Sequence, residues 1–229
     1  MLQKSSPVLI SFSGMDGSGK STQIESLCAR LKQSGLSVRR LAFWDDVVGL
    51  SKLRAGFSHR FLKSDGRVGA PGKPAQRNDK NNRAWYLILA RSGLYVLDAL
   101  RLRQVVHSAR LADVDVIVFD RYIFDQLATL PLEYSIARTY ARAVLELVPA
   151  PDLAFVLDAE PEAARERKPE YPVDFLHKYR RSYWALKDLA TVEVIPPGTE
   201  EEVRRSILAR MESCDRFGMS MGQQQAIPA

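Results

Sequence analysis

The 229-residue sequence predicts a three-layer α/β domain, a five-stranded parallel sheet flanked by helices on both faces. Three observations lead there. Short apolar runs alternate with longer segments of helical spacing along the chain. A glycine-rich loop joins the first run to the first helix. The run at residues 115–119 is continuous Val-Ile-Val-Phe after Asp115, the pattern of a strand buried on both faces. Strand and helix units in this alternation build a parallel sheet through right-handed crossovers.

The first strand is expected at residues 8–12, bounded by Pro7. Behind it Ser13-Gly14-Met15-Asp16-Gly17-Ser18-Gly19-Lys20-Ser21-Thr22 fits the pattern G-x-x-x-x-G-K-[ST], and residues 24–32 repeat apolar positions at helical spacing. A chain of phosphates must be wrapped by backbone N–H groups, and Gly14, Gly17 and Gly19 permit the close approach and dihedrals of such a wrap. The start of the helix adds roughly half a positive charge. Gly14, Met15, Asp16, Gly17, Ser18, Gly19, Lys20, Ser21 and Thr22 are therefore expected to bind ATP. Lys20 would reach the β and γ phosphates, and the Ser21 hydroxyl would ligate Mg²⁺, a hard cation that takes oxygen ligands.

Gly35 is expected to close the first helix, and residues 37–43 to form the second strand, ending in Trp44-Asp45-Asp46. Carboxyl ends of parallel strands face the ligand crevice, so Asp45 and Asp46 are site candidates; capping a helix at 47–57 is the competing reading. Residues 63–82 turn to Gly, Pro, Asn and charge, the composition of a loop. Residues 84–111 read as one long helix, with Arg91, Arg101 and Arg103 either paired, solvated or facing a ligand. The third strand delivers Asp120-Arg121-Tyr122 to the crevice. Residues 131–148 read as helix, 153–157 as a fourth strand ending at Asp158, 161–172 as a basic helix and loop, 173–189 as helix and 191–195 as the fifth strand. The last helix, 199–212, opens on a capping box of Thr199 and Glu202. Residues 1–214 thus make one domain, with a tail at 215–229 that lacks periodicity and is expected to be disordered.

No apolar run approaches the roughly 20 residues of a membrane helix, and the N-terminus enters the strand without a cleavable signal pattern, so a cytoplasmic protein is expected. Cys28 and Cys214, like His59, His107 and His177, are scattered without metal-ligand or disulfide spacing. The formal net charge is +6, much of it between residues 56 and 83, where seven Lys and Arg residues face two Asp. A basic insert of this kind attracts anions, and it is also an ordinary solvated loop.

With the phosphate loop, Asp120-Arg121-Tyr122, and Pro151-Asp152-Leu153-Ala154-Phe155-Val156-Leu157-Asp158 together, the chain resembles the thymidylate kinases from about Val8 to Glu212. The resemblance implies a P-loop NTPase fold with a short lid at 161–172. It implies transfer of the γ-phosphoryl group of Mg·ATP to the 5′-phosphate of thymidine monophosphate. Carried over by position, Lys20 would steady the moving phosphoryl group, Asp16 would approach the acceptor's sugar, and Arg121 would clamp the acceptor phosphate. Ser21 and Asp120 would serve the metal, Arg101 would be a second phosphate-binding arginine, and Asp45, Tyr122 and Gln126 would lie at the acceptor. Gly17 stands where some members carry Arg, so Arg165 and Arg167, with Lys168, would supply the lid's charge. A homodimer through the long helix is also implied.

Departures from the family are Ser13 in place of Glu, Thr129 in place of an aromatic, and the missing Arg-Glu-Pro-type segment after the second strand. Two other readings stay open. One is a kinase for a deoxynucleoside or other small acceptor, with Asp45 or Asp46 as base. The other is a nucleotide-dependent protein that holds nucleic acid on its basic insert, which the near-absence of interleaved aromatics disfavours.

Overall fold

The computed structural model describes residues 6–48 and 85–214, with side chains described from Ser92 onward in the long helix. The expected insert at 56–83, the expected helix at 47–57 beyond Val48, and the tail at 215–229 lie outside the described residues.

Strand β1 (Val8–Ser13) leads through the glycine loop into α1 (Lys20–Gln33), and β2 (Val38–Ala42) follows. The end of α1 shows why Gly35 is glycine: its φ is 83°, and Leu36 N–H donates to Leu31 O at 3.1 Å while Gly35 N–H donates to Lys32 O at 3.0 Å. After β2, residues Phe43–Val47 form one wide helical turn, closed by Val48 N–H on the Phe43 carbonyl at 2.9 Å. The Asp46 carboxylate accepts from Ala42 N–H at 2.6 Å and so caps this turn. Val47 thus ends this turn, and Val48 after it is extended.

The long helix α2 (Trp85–Arg110) is followed by β3 (Val116–Asp120) and a five-residue helix, α3 (Ile123–Leu127). The expected helix at 131–148 is shorter, α4 (Ser135–Glu146), because residues 131–134 form a turn with Tyr134 N–H on Pro131 O at 3.0 Å. Then come β4 (Leu153–Leu157), α5 (Pro161–Arg167) within the segment expected as a lid, α6 (Val173–Ala185), β5 (Glu193–Ile195) and α7 (Glu200–Glu212). The capping box of α7 forms as the spacing predicts: Thr199 N–H donates to the Glu202 carboxylate at 2.8 Å, and Glu202 N–H returns to Thr199 Oγ1 at 3.3 Å.

All five strands are parallel, in the order β2-β3-β1-β4-β5. Strand alternation sorts the core onto two faces. Val8, Ile10, Phe12, Val116, Val118, Phe155 and Leu157 pack with Ile24, Leu27 and Leu31 of α1 and Ile207 and Met211 of α7. Leu9, Ile117, Phe119 and Val156 pack with α2, α3, α4 and α6 on the other face. Because every strand runs the same way, the loops after β1, β3 and β4 gather at one end of the sheet. No helix among the described residues is long and apolar enough to cross a membrane.

Candidate active site

The loop after β1 is shaped by its glycines and by what lies above them. Gly14, Gly17 and Gly19 have φ of 140°, 84° and 87°, a region that side chains rarely adopt. Two of them also sit under neighbouring backbone: a Cβ would lie 2.5 Å from the Leu157 carbonyl oxygen at Gly14 and 2.5 Å from that of Ala164 at Gly17. The lid helix α5 therefore rests directly on Gly17, and position 17 cannot carry an arginine in this packing. A Gly17→Ala variant is expected to be destabilised by about 1–3 kcal/mol through backbone strain alone, with displacement of α5 added to it. Unchanged melting temperature and turnover would show that the contact is unimportant.

Lys20 opens α1 and is folded back into the loop. Its Nζ donates to Gly14 O at 2.9 Å, Met15 O at 2.7 Å and Ser18 Oγ at 3.3 Å. Burial, followed by the charge of Arg121, lowers its pKa to about 8, against opposing contributions from Asp125, Asp16 and Asp120. The sign of the consequence follows. In the unfolded chain Lys20 titrates near 10.5, so the free protein gains stability from this residue as pH rises from about 8 to 10.5. An anionic ligand restores the charge, so ATP binding above pH 8 should take up a proton, approaching one per site, and affinity should fall as pH rises. Calorimetry in two buffers of different ionisation enthalpy reads this directly; binding without proton uptake at pH 9 would contradict it.

Of the other expected ATP contacts, the Met15 side chain is anchored in the core, while Ser21 and Thr22 are exposed at the start of α1. The Ser21 hydroxyl makes no hydrogen bond among the described residues and is free to take a ligand.

Arg121 follows β3 with φ 68°, left-handed and unlike every other described residue except glycines. That turn aims the guanidinium at the phosphate loop. Nη2 pairs with the Asp16 carboxylate, and Nη1 donates to Asp125 Oδ1 at 2.7 Å. Burial opposes the charge, but Asp125 and Asp16 outweigh it and hold Arg121 protonated. Asp125 has no exposed side-chain surface, and its Oδ1 also accepts from Tyr183 at 2.8 Å. Sequence reading missed Asp125, Tyr179 and Tyr183; the four-residue step from Arg121 to Asp125 was the only local sign.

Of the other expected positions, Tyr122 and Gln126 are buried, Asp120 holds an ion pair, and Arg101 and Asp45 are exposed. Tyr122 is a core residue, wholly buried with its hydroxyl on Pro149 O at 2.6 Å, and does not face an acceptor. Asp120 pairs with Arg40 at 2.7 Å. Arg101 is exposed and makes no ion pair or hydrogen bond among the described residues, and Asp45 is likewise exposed. Gln126 is buried; its Nε2 donates to Asp98 Oδ2 of α2 at 2.6 Å, and its Oε1 has no hydrogen-bond partner among the described residues. Beside it, Thr129 Oγ1 donates to Gln126 O at 2.7 Å and lies 2.8 Å from the Tyr95 hydroxyl.

On the lid, Arg165 is partly exposed and Arg167 exposed, its Nε bonded to Ala163 O at 3.1 Å within its own helix. Neither has an ion pair among the described residues. The lid's base is held by Arg180 of α6, which donates to both Asp158 oxygens at 2.7 Å and to Glu160 at 2.8 and 2.9 Å. Those hydrogen bonds to Asp158, ahead of the one to Glu160, hold Arg180 firmly charged against burial. This clamp spans 22 residues and left no trace in the sequence pattern.

Mg²⁺ fits what is present. Among the described residues no cluster of three His, Cys, Asp or Glu could hold a metal, but a free Ser21 hydroxyl and the Asp120 carboxylate suit an ion that keeps waters and leans on substrate phosphates.

No family model matches the chain. Among curated proteins it is 29% identical over 213 residues to a probable thymidylate kinase of Archaeoglobus fulgidus, covering 90% of this chain and 95% of the relative. It is 31% identical over 168 residues to a thymidylate kinase of Chlorobium luteolum, covering 70% and 66%. Among solved structures, thymidylate kinases of Candida albicans and Ehrlichia chaffeensis share the fold, with TM-scores of 0.62 and 0.59 at 18% and 15% identity. They cover 93% and 91% of this chain and 94% and 99% of their own. Along 90% of its length the chain aligns with the Archaeoglobus relative, and it belongs to the thymidylate kinase family.

Proposed function

We propose that this protein is a nucleoside monophosphate kinase that transfers the γ-phosphoryl group of Mg·ATP to thymidine monophosphate, giving the diphosphate. The observation that carries the reading is the opposition of two cations across one loop: Lys20 inside it and Arg121 facing it through Asp16. Phosphoryl transfer asks mainly for in-line alignment of two anions and neutralisation of charge in the transition state. Lys20 would leave the Gly14 and Met15 carbonyls for the β and γ phosphates. Arg121 would exchange Asp16 for the acceptor's phosphate, freeing that carboxylate for the sugar. Ser21 and Asp120 would hold Mg²⁺, which neutralises phosphate charge when bound. No base is needed, because the acceptor oxygen is already ionised.

Arg165 and Arg167 support a lid that contributes charge, since they lie on the helix that covers Gly17 and pair with no carboxylate among the described residues. Arg165→Ala is expected to lower kcat at least about 10²-fold if it meets the transferred group, with Arg167→Ala the smaller effect. The reverse order would assign the role to Arg167. Exposed Leu97 and Leu100 on α2, with Leu111 just past its end, support a homodimer through that helix, and a monomeric mass in solution would remove it.

The test of the reading is a coupled assay with Mg·ATP and a panel of thymidine, its monophosphate and other monophosphates. Turnover with thymidine monophosphate well above the rest is expected; preference for thymidine would replace the reading by nucleoside kinase.

A further inference from the structure

Two carboxylates hold the Arg121 guanidinium, and they are not equivalent. Asp16 lies on the glycine loop with 22% of its side chain exposed, whereas Asp125 is completely enclosed. Water or an incoming anion can replace Asp16, but nothing can reach Asp125 without unpacking the core. Asp125 is also the more elaborately held. Its Oδ1 accepts from Tyr183 at 2.8 Å as well as from Arg121, its Oδ2 accepts from the Tyr122 backbone N–H at 3.3 Å, and its carbonyl accepts from the Tyr179 hydroxyl at 2.9 Å. The Tyr183 and Tyr179 hydroxyl oxygens lie 3.1 Å apart, each with its one proton already directed at Asp125. Burial, and then the negative charge of Asp125, keep both phenols protonated and so able to donate. Both carboxylate oxygens and the backbone carbonyl of Asp125 are thus held. The two tyrosine bonds come from α6, whose Arg180 also pairs with Asp158 and Glu160 at the start of α5.

We infer that Asp125 is a positioning residue: its buried carboxylate, fixed by Tyr183, holds one side of the Arg121 guanidinium so that the side now on Asp16 is the one presented to the acceptor's phosphate. This rests on the reading of Arg121 as the acceptor clamp. An arginine in a left-handed backbone, next to a single loop carboxylate, would otherwise close its planar fork on Asp16 with both nitrogens, leaving no face for the acceptor. Asp125 occupies one prong permanently and so makes the other exchangeable.

Asp125→Asn tests this, because the amide keeps the volume and an oxygen but loses the charge. The expected result is a fall of about 10- to 100-fold in kcat/KM for thymidine monophosphate, the range of supporting-shell losses, with the KM for ATP changed by less than about twofold. In an Arg121→Ala background the same substitution should add no further loss, since Asp125 acts only through that arginine. Tyr183→Phe, which removes a single hydrogen bond, should shift acceptor KM in the same direction by a smaller factor and stands in if Asp125→Asn does not fold. Equal loss for both substrates, an undiminished loss in the Arg121→Ala background, or tighter acceptor binding would overturn the assignment. Absence of monophosphate kinase turnover in the unsubstituted protein would instead overturn the proposed function, and the two failures are read separately.

Discussion

Lys20→Ala should reduce phosphoryl transfer by at least about 10³-fold, the scale on which enzymes lose rate when a group aimed at developing charge is removed. The residue opens α1, is almost wholly buried, and donates to two loop carbonyls, so alanine removes both the charge at the phosphates and the bonds that draw the loop together. Because Lys20 stands partly desolvated in the free protein, its loss should not lower the melting temperature of the ligand-free chain. The characteristic result is therefore a stable, inert protein whose melting temperature no longer rises with Mg·ATP. Turnover within tenfold of the unsubstituted enzyme would remove Lys20 from the chemistry and with it the reading of the glycine loop.

Arg121→Ala is expected to produce the second large effect, and of a different kind. Acceptor kcat/KM should fall by about 10²- to 10³-fold while the KM for ATP stays within about threefold, if the guanidinium that faces Asp16 clamps the acceptor as proposed. The variant should also be less stable by about 3–5 kcal/mol, since Asp125 would keep a fully buried charge with its cation gone. Arg121→Lys separates the two consequences: an ammonium can still neutralise Asp125 but cannot fork between a buried carboxylate and a phosphate. It should restore most of the stability and little of the acceptor efficiency. Loss of ATP and acceptor use in equal measure would mark Arg121 as a structural ion pair.

These expectations draw on features that were legible to different degrees. The glycine loop, the strand that feeds it and the helix behind it announce themselves between residues 8 and 32, because phosphate wrapping demands glycine and lysine at fixed local spacing. The Thr199–Glu202 capping box and the Gly35 stop were equally local. Reading failed where direction, not proximity, mattered. Tyr122 adjoins Arg121, yet the left-handed turn at Arg121 sends the two side chains apart, one to the loop and one into the core. Helix α3 was invisible because five residues are too few to show a period. Gly17 could be seen to lack the arginine of some relatives, but the reason, a lid carbonyl resting on it, lies 147 residues further along.

Amino-acid order alone thus determined the alternating α/β class, the parallel sheet, the anion-binding loop and the arginine that ends the third strand, each a matter of periodicity or spacing over a few residues. Tertiary structure decided which carboxylates hold that arginine, which tyrosines hold the carboxylate, and why the lid must lie on a bare glycine. Asp125 meets Tyr183 across 58 residues, and Arg180 meets Asp158 across 22. Such pairings depend on how crossover helices pack, and a charge or hydroxyl on a helix carries no mark of the partner that packing will bring to it.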